Sequence, residues 1–260
     1  EEHPYSSLNC GFLINSYIHS AILSDTSLKA YWKFNESSGD IINQSQSAVD
    51  LGTPADIQIT GATYSQSGKI GNSLLFDGVN DYGKSGTSTS QYNYMHDDTS
   101  GIFTLNFWFN PTDETEAGEQ HFFNTANLAG SSTVIGVSIY RQSDTISFLM
   151  GNGTTYVINF STPATFFPDN NWHFYSLTWD KSLGSNNLNV KYDDANSQNG
   201  TIANTPSNSN HQYAGEIGSR NAGVSGFLHG YLDEMSNWSK VMSSADRTLL
   251  YNSGSGREIY

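Results

Sequence analysis

Ile102–Asn110 reads IFTLNFWFN. In an extended chain Phe103, Leu105, Phe107 and Phe109 share one face, and Thr104, Asn106, Trp108 and Asn110 share the other. A period of two marks a half-buried strand, whereas a helix would scatter these aromatics around its axis. The same alternation recurs on both sides of this stretch. Leu28–Phe34 (LKAYWKF) places Leu28, Ala30, Trp32 and Phe34 together, and Asn171–Asp180 (NWHFYSLTWD) places His173, Tyr175, Leu177 and Trp179 together. Further strands are expected at His121–Thr125, Thr133–Arg141, Thr145–Met150, Thr155–Phe160, Asn187–Asp193, Gly215–Ser219 and Gly226–Ser239. Residues 41–62 read as weak strand and loop.

One helix signal stands out, at Ser243–Tyr251. Ser243 and Asp246 have capping-box spacing, and Asn252-Ser253-Gly254 supplies the stop. Many short strands, turns every 8–12 residues and one short C-terminal helix predict an all-β, two-sheet antiparallel sandwich. No repeat of 20–50 residues points to a propeller or solenoid.

Composition narrows the class. The chain has 260 residues, 14% charged and 13% aromatic, and a net charge of −14. Nucleic acid and anionic membrane surfaces call for clustered Lys and Arg, which this chain lacks. No run approaches the ~20 apolar residues of a membrane span. Cys10 is the single cysteine, so no intramolecular disulfide can form, and its apolar surroundings make it a small buried hydrophobe. Residues 1–27 stand apart from the sandwich pattern. They read as an extension or arm that self-assembles by docking on a neighbouring copy, with the domain proper at 28–260.

Ser73–Tyr82 (SLLFDGVNDY) joins a short apolar strand to an acidic turn. Asp77 and Asp81 bring two carboxylates near a strand end, where a hard cation could sit among oxygen ligands. The alternative is an Asx-turn in which both acids bond their own backbone. In Gly230–Trp238 (GYLDEMSNW) period two puts Asp233 on one face with Tyr231 and Met235. A carboxylate there needs hydrogen bonds, a pair or a metal. Trp108, in the polar setting of Thr104, Asn106 and Asn110, and Tyr140 are candidate sugar-stacking residues, with Tyr92, Tyr94 and Tyr213 behind them.

Six segments in order, LKAYWKFNESSG (28–39), GKIGNSLLFDGVNDY (68–82), FTLNFWFNP (103–111), WHFYSLTWD (172–180), GYLDEMSNW (230–238) and LLYNSG (249–254), resemble a LamG-like (laminin G type 3), concanavalin A-like jelly-roll domain. The resemblance spans about residues 28–256 and implies two packed sheets, one convex and one concave. It implies a secreted, cell-surface or phage structural protein that contacts carbohydrate or protein. It also implies a structural Ca²⁺, with Asp77, Asp81 and Asp233 as the shared site. Lys191-Tyr192-Asp193-Asp194 departs from the family by lacking a turn glycine. Hydrolases of this fold carry two carboxylates on one strand in an E-x-D-x-E pattern, which this sequence lacks. Glu114, Glu116 and Glu119 fall in an acidic loop instead. The expectation is therefore a non-catalytic surface module, extracellular or on a virion, with a host-surface or glycan receptor as partner. A Ca²⁺-dependent lectin is the alternative reading, and a glycoside hydrolase the second.

Overall fold

The computed structural model describes residues 25–45, 55–113, 117–128, 131–167 and 169–259. Residues 1–24 lie outside these, so the expectations for Cys10 and for most of the N-terminal arm fall beyond the described chain. In chain order the strands are β1 (Leu28–Trp32), β2 (Ile57–Thr60), β3 (Thr63–Ser67), β4 (Asn72–Asp77), β5 (Tyr82–Ser85), β6 (Ile102–Pro111), β7 (Glu119–Asn124) and β8 (Ile135–Gln142). They continue with β9 (Thr145–Asn152), β10 (Tyr156–Ser161), β11 (His173–Asp180), β12 (Leu188–Tyr192), β13 (Asn196–Gly200), β14 (Gly215–Ile217) and β15 (His229–Trp238). Helix α1 (Ser244–Tyr251) follows.

The strands form two antiparallel sheets. One runs β13-β12-β11-β6-β15-β4-β3, with β1 also paired to β15. The other runs β10-β9-β8-β7-β14-β5-β2. The two-sheet sandwich read from the sequence is what the chain adopts. Strand β6 sits at the centre of the first sheet, between β11 and β15. Its apolar face, Phe103, Leu105, Phe107 and Phe109, meets Phe122, Ile139 and Phe148 of the second sheet in the core between the sheets. Phe107 and Phe122 touch across that layer at 4.6 Å between ring centroids. Tyr175, Leu177 and Trp179 join the same core, as their spacing predicts.

Several register shifts depart from simple alternation; the one between Leu28 and Ala30 takes Leu28 off the face it was expected to share with Ala30, Trp32 and Phe34, and two further features bear on the sites. Between Asp233 and Ser236 strand β15 carries an extra residue relative to Trp108 and Asn106 of β6, and Glu234 takes a φ of 50°. This bulge reverses the face order. Met235 enters the core between the sheets while Asp233 stays on the outer face opposite Trp108, so the shared face expected for Tyr231, Asp233 and Met235 is broken. In the β12–β13 hairpin, Asp193 and Asp194 take φ values of 50° and 53°. Aspartate tolerates the left-handed conformation this three-residue connection, Asp193–Ala195, places at its first two positions, so the turn forms without glycine.

Helix α1 is capped as read from the sequence. Ser243 Oγ accepts the amide of Asp246 at 3.1 Å, and Asn252 ends the helix at a φ of 49°. The helix and the C-terminal segment lie on the outer face of the first sheet. Leu250 and Ile259 pack there with Tyr31, Trp108, Phe174 and Trp238. Among the described residues no helix is long and apolar enough to cross a membrane.

Candidate functional site

The acidic turn after β4 closes on itself. Asp77 Oδ1 accepts the amide of Val79 at 2.8 Å, and Asp81 Oδ2 accepts the amide of Asp77 at 2.8 Å. This is the Asx-turn alternative, and it engages the carboxylates with backbone. Asp233 is not part of this turn. Asp77 pairs with His229, and Asp233 lies four residues further along β15, ~13 Å away at the rise of a strand. The structure therefore brings Asp77 and Asp81 together and leaves Asp233 apart. Among the described residues no group of three or more His, Cys, Asp or Glu side chains converges as a metal cluster.

Asp233 instead sits with Glu234 at the bulge, both buried. Asp233 Oδ2 accepts the amide of Ile70 at 2.9 Å from the loop between β3 and β4. That loop approaches closely because Gly68 has no side chain: a Cβ there would stand 2.8 Å from Asp233 Oδ2. Glu234 accepts the phenol of Tyr31, whose oxygen in turn accepts the amide of Ile259 at 3.1 Å. Asp233 Oδ1 and Glu234 Oε1 have no hydrogen-bond partner within the protein. Burial pushes the Asp233 carboxyl up to about 8. Burial, joined by the neighbouring Asp233 charge, pushes Glu234 up to about 9. A buried carboxylate pair must take up a proton or a cation. In the turn, Asp77 Oδ1 and Asp81 Oδ2 are engaged by backbone amides. The Asp233–Glu234 pair leaves two buried acceptor oxygens, Asp233 Oδ1 and Glu234 Oε1, the donor type a hard cation takes.

The two aromatic candidates have different fates. Trp108 is 1% exposed. Its indole stacks on Tyr251 of α1 at 6.0 Å and lies under Lys69 Nζ at 4.6 Å. The polar neighbours that suggested a groove, Thr104 and Asn106, are buried under the segment leading into the helix, where Thr104 donates to the Lys240 carbonyl and accepts the Met242 amide. Trp108 has no free face for a sugar. Tyr140 lies on the outer face of the second sheet, since Val137 and Ile139 of the same strand point into the core. Its ring stacks on His121 of β7 at 4.9 Å, directly across the strand pair.

Tyr140 is 7% exposed and His121 is fully buried, so the solvent-facing part of this strip is mainly the polar groups around them. Glu119, also on β7, is ion-paired with Arg220 at 2.9 Å, and Arg220 donates to Asn127 Oδ1 at 2.8 Å. Glu119 and Arg220 keep about a fifth to a quarter of their side-chain surface, 24% and 20%. Further along the face, Asn124 Nδ2 donates to Glu216 Oε2 at 2.8 Å. Burial raises the Glu216 carboxyl above its ordinary value. Asn124 Oδ1 and Glu216 Oε1 have no partner within the protein. Burial lowers the His121 imidazole, which favours its neutral form against Tyr140. Of the other tyrosine candidates, Tyr92 is buried in the core and Tyr213 donates to Asn221. The signal for His121, Glu119 and Arg220 in the sequence was weak, because their convergence depends on the β7–β8 register and on the loop carrying Arg220.

The arrangement matches known proteins at two levels. The family model described as the concanavalin A-like lectin/glucanases superfamily, of the laminin G type 3 kind, matches residues 77–246. Among solved structures, the chain is similar to the binding domain of botulinum neurotoxin serotype D, at 11% identity and a TM-score of 0.57, covering 87% of this chain and 52% of that one. It is also similar to the botulinum neurotoxin DC binding domain solved in complex with SialylT, at 14% identity and a TM-score of 0.57, covering 89% and 52%. A third, solved for work on type C toxin entry through two ganglioside molecules, has 10% identity, a TM-score of 0.59 and coverage of 90% and 52%. The chain thus spans about half the length of those domains, and the likeness is one of fold. No curated protein sequence gives a significant match. Two antiparallel sheets, the order of the six segments and a family match over well more than half the chain lead to one assignment: this protein belongs to the concanavalin A-like lectin/glucanases superfamily.

Proposed function

We propose that this domain is a non-catalytic recognition module that holds carbohydrate on the outer face of its second sheet, around Tyr140. The observation that carries this reading is the stacked Tyr140–His121 pair beside the partly exposed Glu119–Arg220 ion pair. Sugar sites combine apolar surface with a few directed polar groups; here the groups that reach solvent are Glu119 and Arg220, with Tyr140, 7% exposed, and the buried His121 behind them. Superfamily membership and the receptor-binding domains it resembles in fold support the same reading. They also support an extracellular or surface-binding setting. The absence of E-x-D-x-E on one strand weighs against hydrolysis.

A glycan array tests the proposal. Binding should be lost in Arg220→Ala and weakened in Tyr140→Phe, which keeps the buried ring, while circular dichroism shows both variants folded. An array without any hit counts against it.

A structural Ca²⁺ belongs to the same proposal, at the β15 bulge rather than the β4 turn. Asp233 and Glu234 would hold it, with backbone carbonyls completing an oxygen shell. Bound there, the ion would neutralise the buried pair and tie β15 to the loop that Ile70 belongs to.

A further inference from the structure

The five tryptophans of this chain are unequal. Trp32, Trp108, Trp179 and Trp238 are all at most 1% exposed, while Trp172 is only half-buried. Partial exposure of a large tryptophan is ordinary in itself; what sets Trp172 apart is the aromatic and amide neighbours that share its exposure.

Trp172 lies on the outer face of the first sheet, one residue before β11, where it continues the register that sets His173 against Phe109. That register places it beside Asn110 of β6, and Asn110 pairs in turn with Tyr231 of β15. Tyr231 pairs with Leu75 of β4. Trp172, Asn110, Tyr231 and Leu75 therefore form one row across four strands, each half-buried. The next row, two residues along, holds Phe174, Trp108 and Asp233, and those three are buried. The helix and C-terminal segment cover that inner row with Leu250, Tyr251 and Ile259. The outer row keeps its surface.

The rings of Trp172 and Tyr231 stand 6.3 Å apart and 55° from parallel, an open wedge above Asn110. The Asn110 amide is fixed, its nitrogen donating to the carbonyls of Pro111 at 3.1 Å and Asn170 at 3.0 Å. No ionisable carboxylate or ammonium belongs to the row. Two aromatic faces with a fixed amide between them suit a ligand with an apolar ring face edged by hydroxyls. The most exposed large apolar side chains, Ile42, Val79, Leu183, Val224 and Val241, are not in this row. The row is thus a narrow wedge and not the broad apolar patch that a protein partner covers.

We propose that Trp172, Tyr231 and Asn110 form a second carbohydrate site, on the outer face of the first sheet, that takes a neutral hexopyranose stacked on the Trp172–Tyr231 wedge. This goes beyond the Tyr140 reading. It gives the domain two sites on opposite outer faces, which suits bridging two separate ligands rather than gripping one surface twice.

Because the other four tryptophans are buried, Trp172 is the natural reporter. The whole chain is titrated with cellotriose, maltotriose, chitotriose and lactose, and read by acrylamide quenching of tryptophan emission and by the indole N–H resonance of Trp172. One of the four sugars should protect the emission saturably and shift that resonance. Tyr231→Ala should weaken the effect roughly tenfold, and Tyr140→Ala should leave it in place. Should Tyr231→Ala fail to fold, Asn110→Ala serves, and the wild-type indole shift needs no variant. Sugar binding that vanishes in Tyr140→Ala and leaves the Trp172 resonance unmoved would overturn this site while keeping the Tyr140 reading. No protection and no shift with any of the four sugars would overturn it as well.

Discussion

The indole of Trp108 and the ring of Tyr251 lie 15° from parallel, 6.0 Å apart, and this contact holds α1 on the outer face of the first sheet. Phe174 joins it, 5.3 Å from Trp108 and 6.3 Å from Tyr251. The stack converts the most polar-looking face of β6 into a second small core. Tyr251→Ala should destabilise the domain by about 1–2 kcal/mol, through lost ring contact and burial. Trp108→Ala should cost about 3–5 kcal/mol, as large core truncations do. Urea unfolding with unchanged m-values is the check, and a Trp108→Ala variant of wild-type stability would refute the packing role.

The Ca²⁺ proposed for the Asp233–Glu234 pair predicts a dependence on divalent cations. Millimolar Ca²⁺ should raise the melting temperature of the wild-type protein, and chelator should reverse the gain. In Asp233→Asn the gain should shrink strongly. Equal melting with and without Ca²⁺ in the wild type would remove the ion from the bulge. Asp77→Asn should leave the Ca²⁺ response intact, because Asp77 already holds backbone amides.

The same pair gives a pH dependence in chelator with a defined sign. Both carboxyls titrate higher in the folded state, to about 8 and about 9, than the ordinary carboxylate of the unfolded chain. Between those limits the folded state binds more protons, so stability falls as pH rises through this range. The slope is at most about 1.4 kcal/mol per pH unit for each group. Denaturation from pH 5 to 9 should show this fall in the wild type and a flatter profile in the Asp233→Asn, Glu234→Gln double variant. A profile that the double variant leaves unchanged would assign the titration elsewhere.

His173 supplies a contribution near neutral pH. Burial disfavours its charge, but Asp193 at 2.5 Å and Asp169 at 2.9 Å outweigh that and raise its pKa above the ordinary histidine value. A raised histidine contributes stability fully below its unfolded pKa, and the contribution fades as pH climbs through the folded value. His173→Gln should therefore be more destabilising at pH 5.5 than at pH 8.5, by about 1 kcal/mol. Nuclear magnetic resonance titration of the imidazole reads the shift directly.

The sandwich was legible from the sequence because strand periodicity is local. The alternation in IFTLNFWFN and SLTWD, the Ser243 cap and the order of the six family segments need only neighbouring residues to be read. The acidic turn at Asp77 was legible too, as an Asx-turn, because side chain and amide are two residues apart. Three things required the folded chain. Whether the polar face of β6 meets water depended on where α1 lands, which lies more than 130 residues away, and it buried Trp108. Whether Asp233 shares a face with Met235 depended on a one-residue bulge, which no alternation rule foresees. The partners of Tyr140 and Trp172 depended on cross-strand register, which long-range pairing sets and local composition does not.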